Sequence, residues 1–296
     1  MSNNAYDAVT ERVLAMLEGG TAPWRKPWRE TDSGGVANLV TGRNYSGVNA
    51  LLLPALGFPS RFFLTFNQAR NLGGHVRAGE KGFPVVFWNF LDREDKDGKA
   101  RRFPLLKRFT VFNASQCEIP DGKMPQRALV VVPRPDSIPA CEAIVRGYLN
   151  GPSMAEGGNV ACYSPSRDAV TMPPAGAFST MEHYYSTLFH ELGHSTGHAS
   201  RLNRTMKGGF GSEPYGREEL VAEMTAAFLA AETGIDGATI PDSASYLANW
   251  IGALRADPKA VVVAAGAAQK AANLILNRSA STADTSTDTQ TESEAA

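Results

Sequence analysis

The chain has 296 residues, 43% hydrophobic and 20% charged, which is enough for two modest domains or one large one, with a packed core. It has no apolar run near the roughly 18 residues of a membrane span and no basic-then-apolar leader pattern at its start. Its cysteines, Cys117, Cys141 and Cys162, are odd in number and widely spaced, which does not suggest a disulfide framework and fits a reducing cytoplasm.

The net charge of −1 conceals an asymmetry. Through Pro125 there are 17 Lys+Arg against 12 Asp+Glu, and from Gln126 onward 12 against 18. A basic half joined to an acidic half predicts two units with different partners. The expected division is residues 1–125, residues 126–277, and a tail, 278–296. The tail is built of Ser, Thr, acids and Ala and cannot bury a core, so it is expected to be disordered.

The first unit opens with an amphipathic helix. Tyr6, Val9, Val13, Met16 and Leu17 recur at helical spacing, and Gly19-Gly20 stop it. "RFFLTFNQARNLGG" predicts a short apolar segment, then a helix from near Asn67 ended by Gly73 and Gly74. "FPVVFWNFLDREDKDGKARRFPLLKRFTVFN" predicts two strands around a charged turn. Aromatic and basic residues interleave here. Between Thr21 and Phe90 there are eight Lys+Arg and three Asp+Glu, in stretches such as "PWRKPWRE" and "TGRNYSGVN". Cations that track phosphates beside rings that stack unpaired bases suit single-stranded nucleic acid. Trp24, Trp28 and Tyr45 are the candidate rings, because they sit in Pro- or Gly-rich stretches. Arg25, Lys26, Arg29, Arg43, Arg77 and Lys81 are the candidate phosphate contacts. Phe62, Phe63, Phe66, Phe87 and Trp88 are expected in the core.

A Pro-rich bridge with one expected strand, Ala128 to Val132, leads into the second unit. "NVACYSPSRDAVTMPP" predicts a hairpin, Asn159 to Tyr163 and Asp168 to Met172. Its exposed edge could add an extended peptide to the sheet, or the hairpin could be plain core. Ser179 and Glu182 have the spacing of a capping box. "TMEHYYSTLFHELGHSTG" then predicts one helix, stopped at Gly197.

That helix carries H-E-x-x-H. His190 and His194 are four apart and share a face, and Glu191 lies beside the first. Two imidazoles suit Zn2+, with another divalent transition metal as the alternative, and Glu191 is the candidate catalytic base. Three protein ligands are usual. "YGREELVAEMTAAFLAAETG" predicts a second helix with Leu220, Met224 and Phe228 buried. From it Glu219 is expected as the third ligand, with Glu223 orienting an imidazole; the reverse assignment stays open. His198 is a further candidate, although Gly197 should end the helix before it. Tyr163 and Tyr215 are either oxyanion donors or structural rings.

The segments "PWRKPW", "TGRNYSGVNALLL", "FLTFNQARNLGGHVRAGEKG" and "VFNASQCE" resemble the amino-terminal domain of the ArdC-type antirestriction proteins, present also in TraC-type conjugative primases. "MPPAGAF", "YYSTLFHELGHSTGHASRLNR" and "REELVAEMTAAFLAAETGI" resemble the zincin-like metallopeptidase domain of the same family, without departure at His190, Glu191, His194 or Glu219. The resemblance implies an α+β chain in which an N-terminal single-strand-binding domain precedes a zincin-like domain. It also implies protection of plasmid DNA entering by conjugation, with single-stranded DNA and a host restriction protein as partners. Two alternatives stand beside it: a single-strand-coating protein whose metal site is structural, and a protease acting on DNA-associated proteins.

Overall fold

The computed structural model describes residues 5–19, 35–94, 100–120, 122–123, 137–205, 213–235, 250–252 and 254–278. Trp24, Arg25, Lys26, Trp28 and Arg29, the strand expected at Ala128 to Val132 and the tail beyond Arg278 lie outside these residues.

Helix α1, Ala5–Glu18, buries Val9, Val13 and Leu17 on one face, as its periodicity predicts. Strand β1, Ala37–Asn38, precedes helix α2, Gly47–Leu52. Strand β2, Phe62–Thr65, runs directly into helix α3, Phe66–Asn71. The junction is a capping box: the Thr65 hydroxyl accepts from the Gln68 N–H, and the Gln68 side chain accepts from the Thr65 N–H. After strand β3, His75–Val76, come the two long strands β4, Phe83–Glu94, and β5, Ala100–Asn113, then β6, Cys117–Glu118. The main sheet has the order β1-β2-β5-β4. β1 and β2 are parallel; β2, β5 and β4 are antiparallel, with Phe83 opposite Val111 and Glu94 opposite Ala100.

The period of two splits the β4/β5 ribbon into two faces. Val86, with Leu106 beside it, joins the apolar cluster that contains α1. On the other face Val85 and Val111 pack with Val36, Tyr45, Leu53 and Phe63. Tyr45 is therefore a core ring rather than an open stacking surface. It is 8% exposed, lies edge-on to Phe63, and burial pushes its hydroxyl up to about 12 despite a hydrogen bond with Asn38. The Gly-rich stretch around it is not a free loop, because Ala37 bridges Asn44 and brings the chain back over the sheet. Phe62 and Phe63 are buried as expected, but Phe66 and Phe87 are exposed. Both were expected in the core; Phe66 opens a helix on its solvent side, and Phe87 lies beyond the part of its face that the cluster covers.

The second half begins with helix α4, Ser137–Gly147, and a three-stranded sheet: β7, Ser153–Glu156, β8, Cys162–Ser164, and β9, Ala169–Met172. The hairpin is β8/β9, and β7 joins it in parallel on the far side of β9, leaving β8 as an edge. Helices α5, Met181–Ser195, α6, Glu213–Thr233, and α7, Ala260–Ile275, follow. α6 packs against both α5 and α7. It has almost no apolar asymmetry because it is buried nearly all round: Leu220, Val221, Ala222, Met224, Leu229 and Ala230 are all inside.

One apolar cluster crosses the boundary expected at residue 125. Val9 and Val13 of α1 and Leu51 of α2 share it with Leu220 and Met224 of α6 and Val261 of α7. Thr10 donates to the Pro258 carbonyl at 2.6 Å, and the Gly47 N–H donates to the Gln269 side chain at 3.2 Å. The N-terminal helix is thus part of the platform that supports α6.

Among the described residues no helix is long and apolar enough to cross a membrane.

Candidate metal centre

α5 starts one residue later than the Ser179–Glu182 spacing predicts. Thr180, in extended conformation, is the cap and accepts from the His183 N–H at 3.2 Å. Ser179 lies outside the helix and bonds the His183 ring instead. The helix ends at Ser195, and the Gly197 N–H closes the last turn on the His194 carbonyl at 2.8 Å. His198 lies past this end, with its Nδ1 2.7 Å from the Ser200 hydroxyl and no place in the cluster below.

α5 and α6 approach closely at Gly193. A Cβ there would stand 3.0 Å from Ala222 Cα, 3.1 Å from the Ala222 carbonyl oxygen and 3.2 Å from Thr225 Cβ. This approach lets short reaches from the two helices meet. Gly193→Ala is expected to force them apart by a few tenths of an ångström and to cost about 1–3 kcal/mol, as overpacking does. Thermal unfolding would then fall by several degrees, and an unchanged midpoint would show that the contact is not tight.

His190, His194 and Glu219 converge. The two Nε2 atoms are 3.1 Å apart, and they lie 3.6 Å (His190) and 3.4 Å (His194) from the two oxygens of Glu219. With metal–ligand bonds of about 2.0–2.2 Å, tetrahedral donors stand about 3.3 Å apart. The three donors therefore have the spacing of a single ion. Each outer nitrogen faces a further carboxylate: His190 Nδ1 is 3.7 Å from Glu223 Oε1, and His194 Nδ1 is 3.5 Å from Glu218 Oε1. On His194 such a partner favours the tautomer that leaves Nε2 free to ligate.

Glu218 was not singled out in the sequence. It is held by Arg204, which donates to its two oxygens at 2.6 and 3.0 Å. Arg204 also donates to the Gly193 carbonyl at 2.9 Å and to Thr196 Oγ1 at 2.7 Å, tying the carboxylate to the end of α5. The signal was present in "REEL" and "SRLNR", but which of two adjacent acids faces which imidazole depends on how the helices cross.

Glu191, Glu218, Glu219 and Glu223 are all buried. Arg204 is the guanidinium paired with Glu218. Burial alone would depress His194, but the carboxylates of Glu218 and Glu219, with the charge of Glu191, push it up to about 10. Burial likewise opposes ionisation of Glu219, and the two imidazoles hold it well below the usual carboxylate range. Four buried carboxylates around two imidazoles give the pocket a donor set suited to a cation. His190 Nδ1 is buried and beyond hydrogen-bond reach of any partner, as fits a centre whose geometry is completed by an ion at Nε2.

Glu191 completes the site from the side of β8. Its Oε2 accepts the Tyr163 N–H at 2.7 Å. The Tyr163 hydroxyl is not free for an oxyanion. It donates to Asp168 Oδ1 at 2.8 Å and accepts from Arg201, and burial and then Asp168 push its pKa far up. The Tyr215 side chain lies outside the described residues.

Arg201 donates to both Asp168 oxygens, to the Ser195 carbonyl and to the Asn150 carbonyl. The bond from Arg201 holds the Asp168 carboxyl below its ordinary value. A group depressed by folding stabilises above its unfolded pKa and loses that contribution as pH falls through the folded value. Asp168→Asn suits the left-handed backbone there (φ 45°) but leaves Arg201 buried without its counter-charge. It is expected to cost about 1–3 kcal/mol at neutral pH. Urea midpoints of the two proteins should converge as pH falls below the carboxylate range, and a gap independent of pH would rule out the ion pair as its cause.

Comparison with known proteins decides the family. Residues 3–112 match the N-terminal domain of anti-restriction factor ArdC, and residues 140–267 match a zincin-like metallopeptidase domain. The metal-free crystal structure of the antirestriction ArdC protein from plasmid R388 is 34% identical. It superposes with a TM-score of 0.74 over 92% of this chain and 96% of that one. The chain belongs to the ArdC antirestriction family. The Mn(II)-bound structure of R388 ArdC is 35% identical with a TM-score of 0.73, covering 92% of this chain and 97% of that one. The protein y4eC of Sinorhizobium fredii is 35% identical over 283 residues, 90% of each chain. DNA primase TraC of Escherichia coli is 35% identical over 293 residues, and the ArdC-type chain spans 27% of its length. The fold is α+β, with an ArdC-type N-terminal part and a zincin-like C-terminal part. Of the expected DNA contacts within the described residues, Arg43, Arg77 and Lys81 are exposed. Arg77 is partly spent, since it donates to the Ser115 carbonyl and pairs with Glu80.

Proposed function

We propose that this is a DNA-directed antirestriction protein with a metal-dependent peptidase site. In this reading the N-terminal part, up to about residue 125, brings the chain to single-stranded DNA, and the C-terminal part cleaves or inactivates a restriction protein met there. The convergence of His190, His194 and Glu219, with Glu191 alongside, carries the enzymatic half of the reading. The three residues are the proposed ligands. Zn2+ is the proposed ion, and the Mn(II)-bound R388 relative makes a different divalent metal the alternative. A divalent ion there would acidify water and polarise a peptide carbonyl.

The chain's own groups do the rest. Glu191 takes a proton from water and returns it to the leaving amine. The Tyr163 N–H fixes one oxygen of that carboxylate, leaving the other to work. Glu218 keeps the His194 imidazole in the ligating tautomer, and Glu223 stands on the Nδ1 side of His190. A cavity of about 490 Å³ lined by Ala161, Pro173, Pro174, Phe178 and Thr187 adjoins the start of β8, one turn of α5 before His190. Its apolar wall suits a substrate side chain while the backbone lies along the β8 edge.

The test is a Glu191→Gln protein compared with wild type for peptide hydrolysis, metal content and protection of plasmid DNA during conjugation. Hydrolysis by the variant at the wild-type rate would remove Glu191 as the base, and no hydrolysis by wild type would remove the enzymatic half of this reading.

A further inference from the structure

The face of β4/β5 that carries Val85 and Val111 does not stay covered along its length. Beyond the core cluster it presents Phe87, 38% exposed, and Phe109, 40% exposed, with ring centroids 5.8 Å apart and planes at 67°. The buried Tyr45 ring lies 6.1 Å from Phe87 and supports it from below. Lys107 is directly opposite Phe87 in the register, so it stands on the same face, and it is exposed. Arg43, also exposed, lies two residues before Tyr45. Neither Lys107 nor its neighbour Arg108 is in an ion pair among the described residues.

We propose that Phe87 and Phe109, with Lys107 beside them, form a stacking platform for single-stranded DNA. The proposal rests on the DNA-directed reading of the N-terminal part and gives it a surface. Two large rings open to water lose apolar burial that a partner would recover. The chemistry around them selects the partner. Lysine is depleted in protein–protein contacts, whereas cations beside exposed rings match a strand that offers both phosphates and unpaired bases. Because the two rings are steeply inclined, they cannot clamp one base between parallel faces, and each takes a base of its own. A duplex keeps its bases stacked inward and can use only the cations, so the platform favours single strands. The signal in the sequence was masked by the run "FPVVFWNF", where alternation shows two faces but not how far either is covered.

The test uses the full chain and a fluorescent thymidine oligonucleotide of about 15 nucleotides, near the upper end of a single binding site. Phe87→Leu and Phe109→Leu keep apolar volume and remove the π-face. Each is expected to bind about 5- to 150-fold more weakly, the range for loss of one stacked base. Thermal midpoints should match wild type, because both rings are half open to solvent. Lys107→Ala, at an exposed position, should reduce the slope of log affinity against log salt by about 0.7, the share of one phosphate on a single strand.

If wild type binds the oligonucleotide and the two leucine variants bind it equally well, the platform is wrong and the DNA-directed reading survives. If wild type does not bind at all, that reading fails and the platform with it. A concentration-dependent dimer in sedimentation that both leucine variants dissolve would give this face to a second copy of the chain and overturn the proposal.

Discussion

Glu219→Ala protein, dialysed against Zn2+ or Mn2+ and then freed of excess ion, is expected to retain almost no metal by elemental analysis. Glu219 offers both oxygens to the centre, one 3.6 Å from His190 Nε2 and the other 3.4 Å from His194 Nε2. Losing it leaves two imidazoles, because Glu219 is the one carboxylate of the converging group among the described residues. Glu223→Ala and Glu218→Ala are different in kind. Their carboxylates face the Nδ1 atoms, on the far side of the rings from the donors that converge. Each should bind one ion at saturation, with affinity lowered about 10- to 100-fold, as for partners that orient a ligand. Glu218→Ala should also leave Arg204 without its carboxylate and so lower stability more than Glu223→Ala. A chelator titration separates the affinities. Full metal in Glu219→Ala together with loss in Glu223→Ala would reverse the assignment.

The arrangement at the centre shows what a sequence pattern can and cannot carry. Residues four apart on one helix must share a face, so His190 with His194 and Glu219 with Glu223 could be grouped before any coordinates. The crossing of α5 and α6 is not local information. It is set by Gly193 against Ala222, and it decides that Glu218 reaches His194 while Glu223 faces His190. The α5 cap shows a smaller ambiguity. Ser179 and Thr180 are both good caps, and only the backbone, extended at Thr180, shows where the helix starts.

In the sheets, the long apolar runs that became β4 and β5 were legible, and so was the β8/β9 hairpin. β7 was not, because "SMAE" lies exposed at all four positions and carries no alternation to read. Tyr45 misled for the opposite reason. Its neighbours look like a turn, and the bridge that brings the chain back over the sheet joins Asn44 to Ala37, seven residues before it. Position along the chain also understates how the molecule is joined. The helix that opens the basic half packs under α6, so substitutions in α1 should loosen the scaffold of the metal centre although they lie far from it in sequence.

Glu191→Gln is expected to lower peptide hydrolysis by about 100- to 10,000-fold, the usual worth of a positioned general base. Glutamine has the same shape and still accepts the Tyr163 N–H through its amide oxygen, so the strand and the helix keep their places. What it cannot do is take a proton from water. Metal content and oligonucleotide affinity should therefore equal those of wild type, which separates a chemical loss from a structural one. A protein bound to the same oligonucleotide is the substrate to use, because it lets the DNA-directed half present the peptide to the other half. The conjugation assay run with the same variant then assigns the protective step. Protection that disappears together with hydrolysis comes from cleavage of the restriction protein. Protection kept by a variant that binds metal and DNA but no longer hydrolyses comes from the coating of the incoming strand, with the metal centre holding α5 to α6. Hydrolysis kept by the variant would mean that another group takes the proton, and the contact between Glu191 and Tyr163 would then be a structural tie between helix and sheet.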